Sequence, residues 1–224
     1  MNSSRHNRSS CAVVVPAKEP SDSKTRLAPL LSPERRRELA LLLLQETLRR
    51  IRSVSGVDLI VITNGPTVEN IASSLGATVL REKTARGESA AVEEATRYVV
   101  ENGYSRQIVV PGDLASLDPE ELSRLVSFPL APPAVLLSPA VDDDGTNAVV
   151  TAPPDILHFR FGERSFAGYR TQCSVRGIPC AVVRLRSFVL DIDTPRDLEQ
   201  FLIKHPEHPA ARAAAEWFHE TPSP

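Results

Sequence analysis

Three aspartates follow short apolar runs in this chain, at positions where α/β proteins commonly place the ligands of a metal ion. Asp113 comes shortly after the run 107–110, and Asp191 and Asp193 come directly after the run 188–190. On an extended chain, residues two apart point to the same side, so the last two carboxylates can act together. Mg²⁺ is usually held by one or two carboxylates together with substrate phosphates. The pattern therefore predicts a magnesium site used in nucleotide chemistry.

Three cations lie in the loop that follows the first apolar run, 11–15. They are Lys18, Lys24 and Arg26. A loop of this kind can wrap a triphosphate and neutralise the charge that develops on a leaving pyrophosphate. The GxxxxGK[ST] pattern of a P-loop is absent from the sequence. A solvated charged loop is the alternative interpretation.

Two further segments have the chemistry of an anion site. Thr146 and Asn147 stand in a Gly-Thr-Asn turn that offers backbone N–H groups, a hydroxyl and an amide. Gly162 and Ser165 stand beside arginines, and Ser165 is predicted to be the N-cap of a helix that runs through Tyr169. An ordinary turn and an ordinary helix cap are the alternatives.

The segment Gly87, Glu88 and Ser89 opens another predicted helix. Its backbone groups could face a base or a ribose, although a simple helix cap is the favoured interpretation of the pattern alone.

Apolar runs alternate with helical patterns along the chain, which predicts an α/β fold with a mostly parallel central sheet flanked by helices. The predicted strands are 11–15, 58–63, 78–80, 107–110, 134–138, 147–151, 180–185 and 188–190. The main predicted helices are 33–52, 68–75, 89–102, 119–126, 195–204 and 209–220.

The organisation expected is a disordered N-terminal tail at 1–10, a single domain at 11–204 and a peripheral C-terminal tail at 205–224. The formal net charge of −2 over 224 residues gives no support for nucleic-acid or membrane-surface binding. Three cysteines without a CxxC pair favour reduced thiols and a cytoplasmic protein. The sequence leaves a homodimer open.

Taken together and in order, these motifs resemble the 2-phospho-L-lactate guanylyltransferase family of coenzyme F420 biosynthesis, which includes members that use phosphoenolpyruvate. The resemblance covers about residues 12–204. It rests on Pro16-Ala-Lys18, Ser23-Lys-Thr-Arg-Leu-Ala-Pro29, Pro111-Gly-Asp-Leu114, Gly145-Thr-Asn-Ala148, Arg160-Phe-Gly162, Ser165-Phe166 and Asp191-Ile-Asp-Thr-Pro195.

The resemblance implies a single-domain nucleotidyltransferase fold of the glycosyltransferase-A type, with GTP and a small phosphorylated acid as substrates and Mg²⁺ as cofactor. It assigns the metal to Asp113, Asp191 and Asp193. It assigns the acid to the segments of Thr146, Asn147, Gly162 and Ser165, and the nucleotide phosphates to the loop of Lys18, Lys24 and Arg26.

One departure concerns the base. Gly87-Glu88-Ser89 stands where the family usually has Gly-Leu-Asn, near the nucleotide. Glu88 could accept hydrogen bonds from the N1–H and 2-amino groups of guanine, or it could indicate another base. Two alternatives stay open on this ground: a nucleotidyltransferase of the same fold that acts on a sugar phosphate or another cofactor precursor, and a non-catalytic nucleotide-binding protein.

Overall fold

The computed structural model describes residues 10–20, 23–82, 87–140, 144–188 and 192–220. The predicted disordered tail falls almost entirely outside this part of the chain, as does Asp191. The strands are β1 (Cys11–Pro16), β2 (Val57–Thr63), β3 (Thr78–Arg81), β4 (Arg106–Val109), β5 (Ala134–Pro139), β6 (Thr146–Ala152) and β7 (Cys180–Val182). The helices are α1 (Pro33–Arg52), α2 (Pro66–Ser74), α3 (Glu88–Glu101), α4 (Pro119–Ser127), α5 (Ser165–Arg176), α6 (Pro195–Lys204) and α7 (Pro209–Glu220).

The seven strands form one sheet in the order β3-β2-β1-β4-β6-β5-β7. The first four positions are parallel, and β6 is the strand that runs against its neighbours β4 and β5. The mostly parallel sheet flanked by helices is thus confirmed. Because β1 lies between β2 and β4, the loops that leave the carboxyl ends of β1 and β4 meet at one edge of the sheet.

Helices cover both faces of the sheet, and β1 shows how the chain divides its side chains between them. Val13 and Val15 pack under α1, α2 and α4, whereas Ala12 and Val14 pack under α3 and α5. All four are fully buried. Each buried valine stabilises the fold by roughly 1.5–3 kcal/mol, so this strand is a firm base for the loop that follows it.

Helix starts follow the caps that the sequence suggests. The Ser32 hydroxyl accepts a hydrogen bond from the backbone N–H of Arg35, and Asp118 accepts one from Glu120. Thr194 and Asp197 form a complete capping box at the start of α6. These caps satisfy N–H groups that a helix start leaves open, at about 1 kcal/mol each.

Two local predictions differ from the structure. Arg186–Phe188 form a 3-10 turn instead of the start of a strand, because the carboxylate of Glu121 accepts the N–H groups of Arg186 and Ser187. The rest of the predicted strand, 189–190, lies outside the described residues. Ser165 is the first residue of α5 and not its N-cap, which is Arg164 in a left-handed conformation.

Helix α7, within the segment 205–224 that the sequence predicts to be a peripheral tail, packs on the other helices of this side. A third apolar cluster joins α7 to α1 and α6 through Ala210, Ala214 and Trp217, which are buried. The small alanine side chains of α7 face this cluster, which composition alone did not reveal. Among the described residues, no helix combines the length and the apolar character that a membrane crossing requires.

Candidate active site

The loops after β1 and β4 enclose a cavity of about 500 Å³ at the carboxyl edge of the sheet. Lys18, Lys24, Glu88 and Asp113 all contribute to its lining. The structure therefore brings together side chains that are up to 95 residues apart in the sequence. In parallel α/β sheets this edge is where ligands bind.

Lys24 is the cation at the centre of the charged groups. Its Nζ lies 2.6 Å from Oδ2 of Asp113 and 3.2 Å from Oδ1 of Asp193. The Lys24 side chain is only 6% exposed, whereas the two aspartate side chains are 38% and 43% exposed. We call Lys24, Asp113 and Asp193 the charged cluster. Its geometry shows that the two carboxylates converge on one small space.

Two backbone features place the charged cluster. Lys24 has φ 52° and ψ 41°, a left-handed conformation that costs a non-glycine residue roughly 1–2 kcal/mol. Gly112, beside Asp113, packs so closely that a Cβ atom would lie 2.8 Å from Leu44 Cδ1 and 3.3 Å from Val15 Cγ1. A larger residue at position 112 would therefore require Leu44 of α1 or the Asp113 loop to shift.

Arg26 lies at the rim of the charged cluster. Its NH1 atom is 4.0 Å from Oδ2 of Asp193, and its side chain is 74% exposed. A contact so open to solvent contributes little stability. Arg26 is free to follow a charged ligand, in contrast to the nearly buried Lys24.

A second anchor fixes the loop that carries Lys18. The neighbouring carboxylate of Glu19 accepts hydrogen bonds from the backbone N–H of Thr67 at 3.1 Å and from Arg37 at 2.8 Å. Burial would raise the pKa of Glu19, but hydrogen bonds from Thr67, Arg37 and Val68 outweigh it and lower the pKa. A Cβ atom on Gly65 would lie 2.6 Å from Glu19 Cβ, so the contact depends on a glycine there.

Two glutamates stand on the wall of the cavity, one at each end of the segment between β3 and α3. Glu88 is exposed on the cavity side, but protein surrounds most of its carboxyl group. The resulting loss of water around the carboxyl raises its pKa. The Asp113 carboxylate adds to the rise and the Lys18 ammonium opposes it. Glu82, which is buried, directly follows β3. The sequence signal for Glu82 was its place at a strand end, the same signal that marked Asp113.

The predicted acid-binding residues form a second group. Oγ of Ser165 and Oγ1 of Thr146 are 3.1 Å apart and both side chains are buried. Gly162 lies in the turn that leads into α5, where its carbonyl accepts the N–H of Ser165 at 3.1 Å. We call Thr146 and Ser165 the hydroxyl pair. The hydroxyl pair, Asn147 and Gly162 lie outside the described lining of the 500 Å³ cavity.

Two contacts connect the hydroxyl pair with the rest of the site. The Asn147 side chain donates to the carbonyl of Phe188, in the 3-10 turn that leads towards Asp193. The Ser89 hydroxyl accepts the backbone N–H of Phe161 at 3.0 Å, which ties the start of α3 to the segment of Gly162. Gly87 precedes α3 with φ 99°. Ser89 thus has a partner in the protein itself.

Three side chains form hydrogen bonds with the 3-10 turn before Asp193. The sequence analysis did not identify Glu121 and Ser116, and it assigned Asn147 to a ligand. Glu121 accepts the N–H of Ser187 at 2.9 Å and its hydroxyl at 2.7 Å, and Ser116 donates to the Ser187 carbonyl at 3.0 Å. Burial would raise the pKa of Glu121, but the hydrogen bonds from Ser187 and Arg186 lower it on balance. Asn147 completes the set.

The donor set of the charged cluster fits a hard divalent cation, because two carboxylates converge on a single positive charge. Within the described part of the chain, no group of three or more His, Cys, Asp or Glu residues forms a metal site. Asp191, the third predicted ligand, lies outside that part.

This architecture and its carboxyl-edge cavity define a nucleotidyltransferase fold. A solved structure from Desulfovibrio desulfuricans G20, named as a nucleotide-diphospho-sugar transferase, matches with a TM-score of 0.78 and 16% identity. The match covers 94% of this chain and 96% of that one. At this identity the likeness shows the fold alone.

The sequence gives the family. Residues 11–217 match the family model described as Guanylyl transferase CofC like, and the chain belongs to that family of guanylyltransferases. The 3-phospho-D-glycerate guanylyltransferase of Colwellia psychrerythraea is 40% identical over 84% of this chain and 89% of that protein. The phosphoenolpyruvate guanylyltransferase of Sphaerobacter thermophilus is 34% identical over 84% and 90%.

Proposed function

We propose that this protein transfers the GMP moiety of GTP to the phosphate of a small phosphorylated acid and releases pyrophosphate. The observation that carries the proposal is the charged cluster: Lys24 bridges Asp113 and Asp193 at the lining of a cavity with room for a nucleotide. Membership of the guanylyltransferase family supports GTP as the donor.

The reaction is an in-line displacement. A phosphate oxygen of the acid forms a bond to the α-phosphorus of GTP, and the bond from that phosphorus to the bridging oxygen of the β-phosphate breaks. No general base is required, because a phosphate monoester is largely ionised near neutral pH, with a second pKa near 6. Lys18, Lys24 and Arg26 would offset the charge that develops on the departing pyrophosphate.

Asp113 and Asp193, with Asp191, would hold Mg²⁺. Bound there, the ion would supply a divalent charge that shields the two anionic substrates from each other. The protein's own part is to hold the carboxylates in register, through the capping box of Thr194 and Asp197 on one side and the Gly112 turn on the other.

The hydroxyl pair with Asn147 and Gly162 is our candidate for the acid-binding region. Phosphoenolpyruvate and 2-phospho-L-lactate are two candidate acceptors. The relative at 40% identity favours a third, 3-phospho-D-glycerate. This acid carries a free hydroxyl that the other two lack. A site that hydrogen-bonds a substrate hydroxyl rejects analogues without it by about 10⁴–10⁵-fold, so 3-phospho-D-glycerate should separate clearly from the other two acids.

The base would contact the start of α3, at Gly87, Glu88 and Ser89. A raised pKa keeps Glu88 protonated over a wider pH range, and a protonated carboxyl both donates and accepts. That observation favours a second candidate, a nucleotidyltransferase of the same fold that uses another base or a sugar phosphate.

We place the reaction in coenzyme F420 biosynthesis and in the cytoplasm. The family resemblance supports the pathway. Three cysteines without a CxxC pair support a reducing compartment.

The test is pyrophosphate release from GTP and Mg²⁺, with each of the three acids in a separate reaction. Release that requires one acid supports the proposal and identifies the acceptor. A panel of the four nucleoside triphosphates, run with the same acids, identifies the base. Release only with another triphosphate would transfer support to the second candidate. GTP binding without turnover on any phosphorylated acid would favour a protein that binds nucleotide without catalysis.

A further inference from the structure

Lys24 occupies the space that two acidic side chains would otherwise leave to a cation. Its ammonium is within hydrogen-bond distance of one oxygen from each carboxylate and is almost fully enclosed. Two carboxylates this close repel each other unless a cation lies between them. In the structure described here, that cation belongs to the protein.

The ammonium and a divalent ion compete for the same oxygens. Mg²⁺ requires carboxylate oxygens at 2.0–2.1 Å and tolerates little distortion. An ammonium that donates to those oxygens at 2.6 Å and 3.2 Å fills the approach to them. A metal ion that bridges the two carboxylates through these oxygens therefore requires the lysine side chain to withdraw.

A Lys24 side chain that leaves the two carboxylates can move into the cavity, which Lys24 itself lines. The main chain of Lys24 is fixed, because its carbonyl accepts the N–H of Leu27 at 2.9 Å and opens a 3-10 turn. Its flexible four-carbon stem is not fixed in the same way. Lys18 and Ser23 line the same cavity, so a released Lys24 ammonium joins a second cation there.

We propose that Lys24 holds the two carboxylates together before the metal ion arrives, and that its release makes metal and nucleotide binding cooperative. The metal ion frees the ammonium, and the triphosphate of the nucleotide gives it a new partner. Coupling of this kind is reciprocal, so nucleotide also promotes metal binding. The inference rests on the proposed nucleotide and metal sites.

The first experiment measures Mn²⁺ binding alone, from the loss of the free-ion signal in electron paramagnetic resonance. We expect Lys24→Met to bind Mn²⁺ about tenfold more tightly than wild type, within the usual range of coupling between sites. Lys18→Met is the matched control, since it removes a different cation that lines the same cavity. It should change the Mn²⁺ affinity less than threefold.

The second experiment uses the unaltered protein, so it does not depend on the folding of a variant. A small amine-acylating reagent is applied, and modification of Lys24 is read by peptide mass spectrometry, with Lys204 as internal reference. We expect labelling of Lys24 to rise several-fold when Mn²⁺ is added and to fall again when a non-hydrolysable GTP analogue is also present.

The outcomes separate this inference from the proposed function. Equal Mn²⁺ affinity in wild type and Lys24→Met, or Lys24 labelling unchanged by Mn²⁺, overturns the inference even if pyrophosphate release is normal. Absence of both Mn²⁺ binding and GTP binding in wild type would instead refute the proposed function on which it rests.

Discussion

The charged cluster and the hydroxyl pair, our candidates for the nucleotide–metal region and the acid region, are built in two different ways. The charged cluster is built on loops, its carboxylates are more than a third exposed, and a movable lysine holds it together. The hydroxyl pair is built on the first residues of β6 and α5, and it is buried and neutral. Full charges are costly to bury, whereas hydroxyls that pair with each other are not. In our proposal, the exposed charged cluster offsets charge with a lysine that can move, whereas the buried hydroxyl pair offers a fixed shape.

The largest effect should come from removing one charge of the charged cluster. We expect Asp193→Asn to lower kcat by about 10²–10³-fold, because an electrostatic contribution to the transition state is lost. Thermal stability should change little, since Asp193 is 43% exposed. Initial rates of pyrophosphate release and a thermal melt measure the two quantities. Asp155→Asn, an exposed site on another loop, is the control. A variant with a near-normal rate would remove Asp193 from the proposed mechanism.

A change to the hydroxyl pair should act on the acid alone. Thr146→Val keeps the shape of the side chain and removes Oγ1. We expect KM for the acid to rise by about tenfold, the cost of one lost hydrogen bond, with KM for GTP unchanged. Thr171→Val, an exposed threonine in α5, is the matched control. Equal increases in both KM values would show that the hydroxyl pair does not distinguish acid from nucleotide.

The loop that carries Lys18 can be used to test whether its anchoring by Glu19 is needed for GTP binding. In Gly65→Ala the new Cβ would meet Glu19 and displace the loop. We expect KM for GTP to rise several-fold and the free energy of unfolding to fall by about 1–3 kcal/mol. Gly168→Ala adds the same methyl group where nothing lies within 4 Å and should be neutral or slightly stabilising. Chemical denaturation and GTP titration provide the readouts. A loop that tolerates the methyl group without either change would contradict the anchoring role of Glu19.

The smallest effect concerns the turn that joins the two regions. The folded-state pKa of Glu121 lies below its ordinary value of 4.5, so its stabilising contribution is present above that value and is lost as pH falls through the lower folded value. We expect Glu121→Gln to be less stable than wild type at pH 7, with the difference disappearing in acid. Thermal melts from pH 7 to pH 3 measure this. The neighbouring, exposed Glu120, changed to Gln, is the control. A stability difference that stays constant across the pH range would mean that shape, and not charge, holds the turn.

Most of the fold could be predicted from local patterns. The bounds of α1, α6 and α7 follow from proline and cap residues that act within one helical turn. The error at Phe188 has a local origin as well. An apolar run suggests a strand, but the backbone N–H groups just before it are taken by a side chain of α4.

The site could be predicted only as a set of residue types. Lys24 and its partners Asp113 and Asp193 are 89 and 169 residues apart in the chain. The order of parallel strands explains why they meet at one edge of the sheet, but not which side chain stands between which others. The roles of Glu19 and Glu121 are of the same kind, because each depends on a contact with a distant backbone segment.

The position of Asp193 near the end of the chain has a consequence for biosynthesis. Eighty residues separate it from Asp113, and at about 5–20 residues per second the ribosome needs about 4–16 s to make them. During that interval β1, β2, β3 and β4 are already available to pair, with Lys24 and Asp113 at their edge. The nascent protein therefore carries two of the three members of its charged cluster before the third exists. The second carboxylate of the charged cluster is added only when the segment directly before α6 has been made.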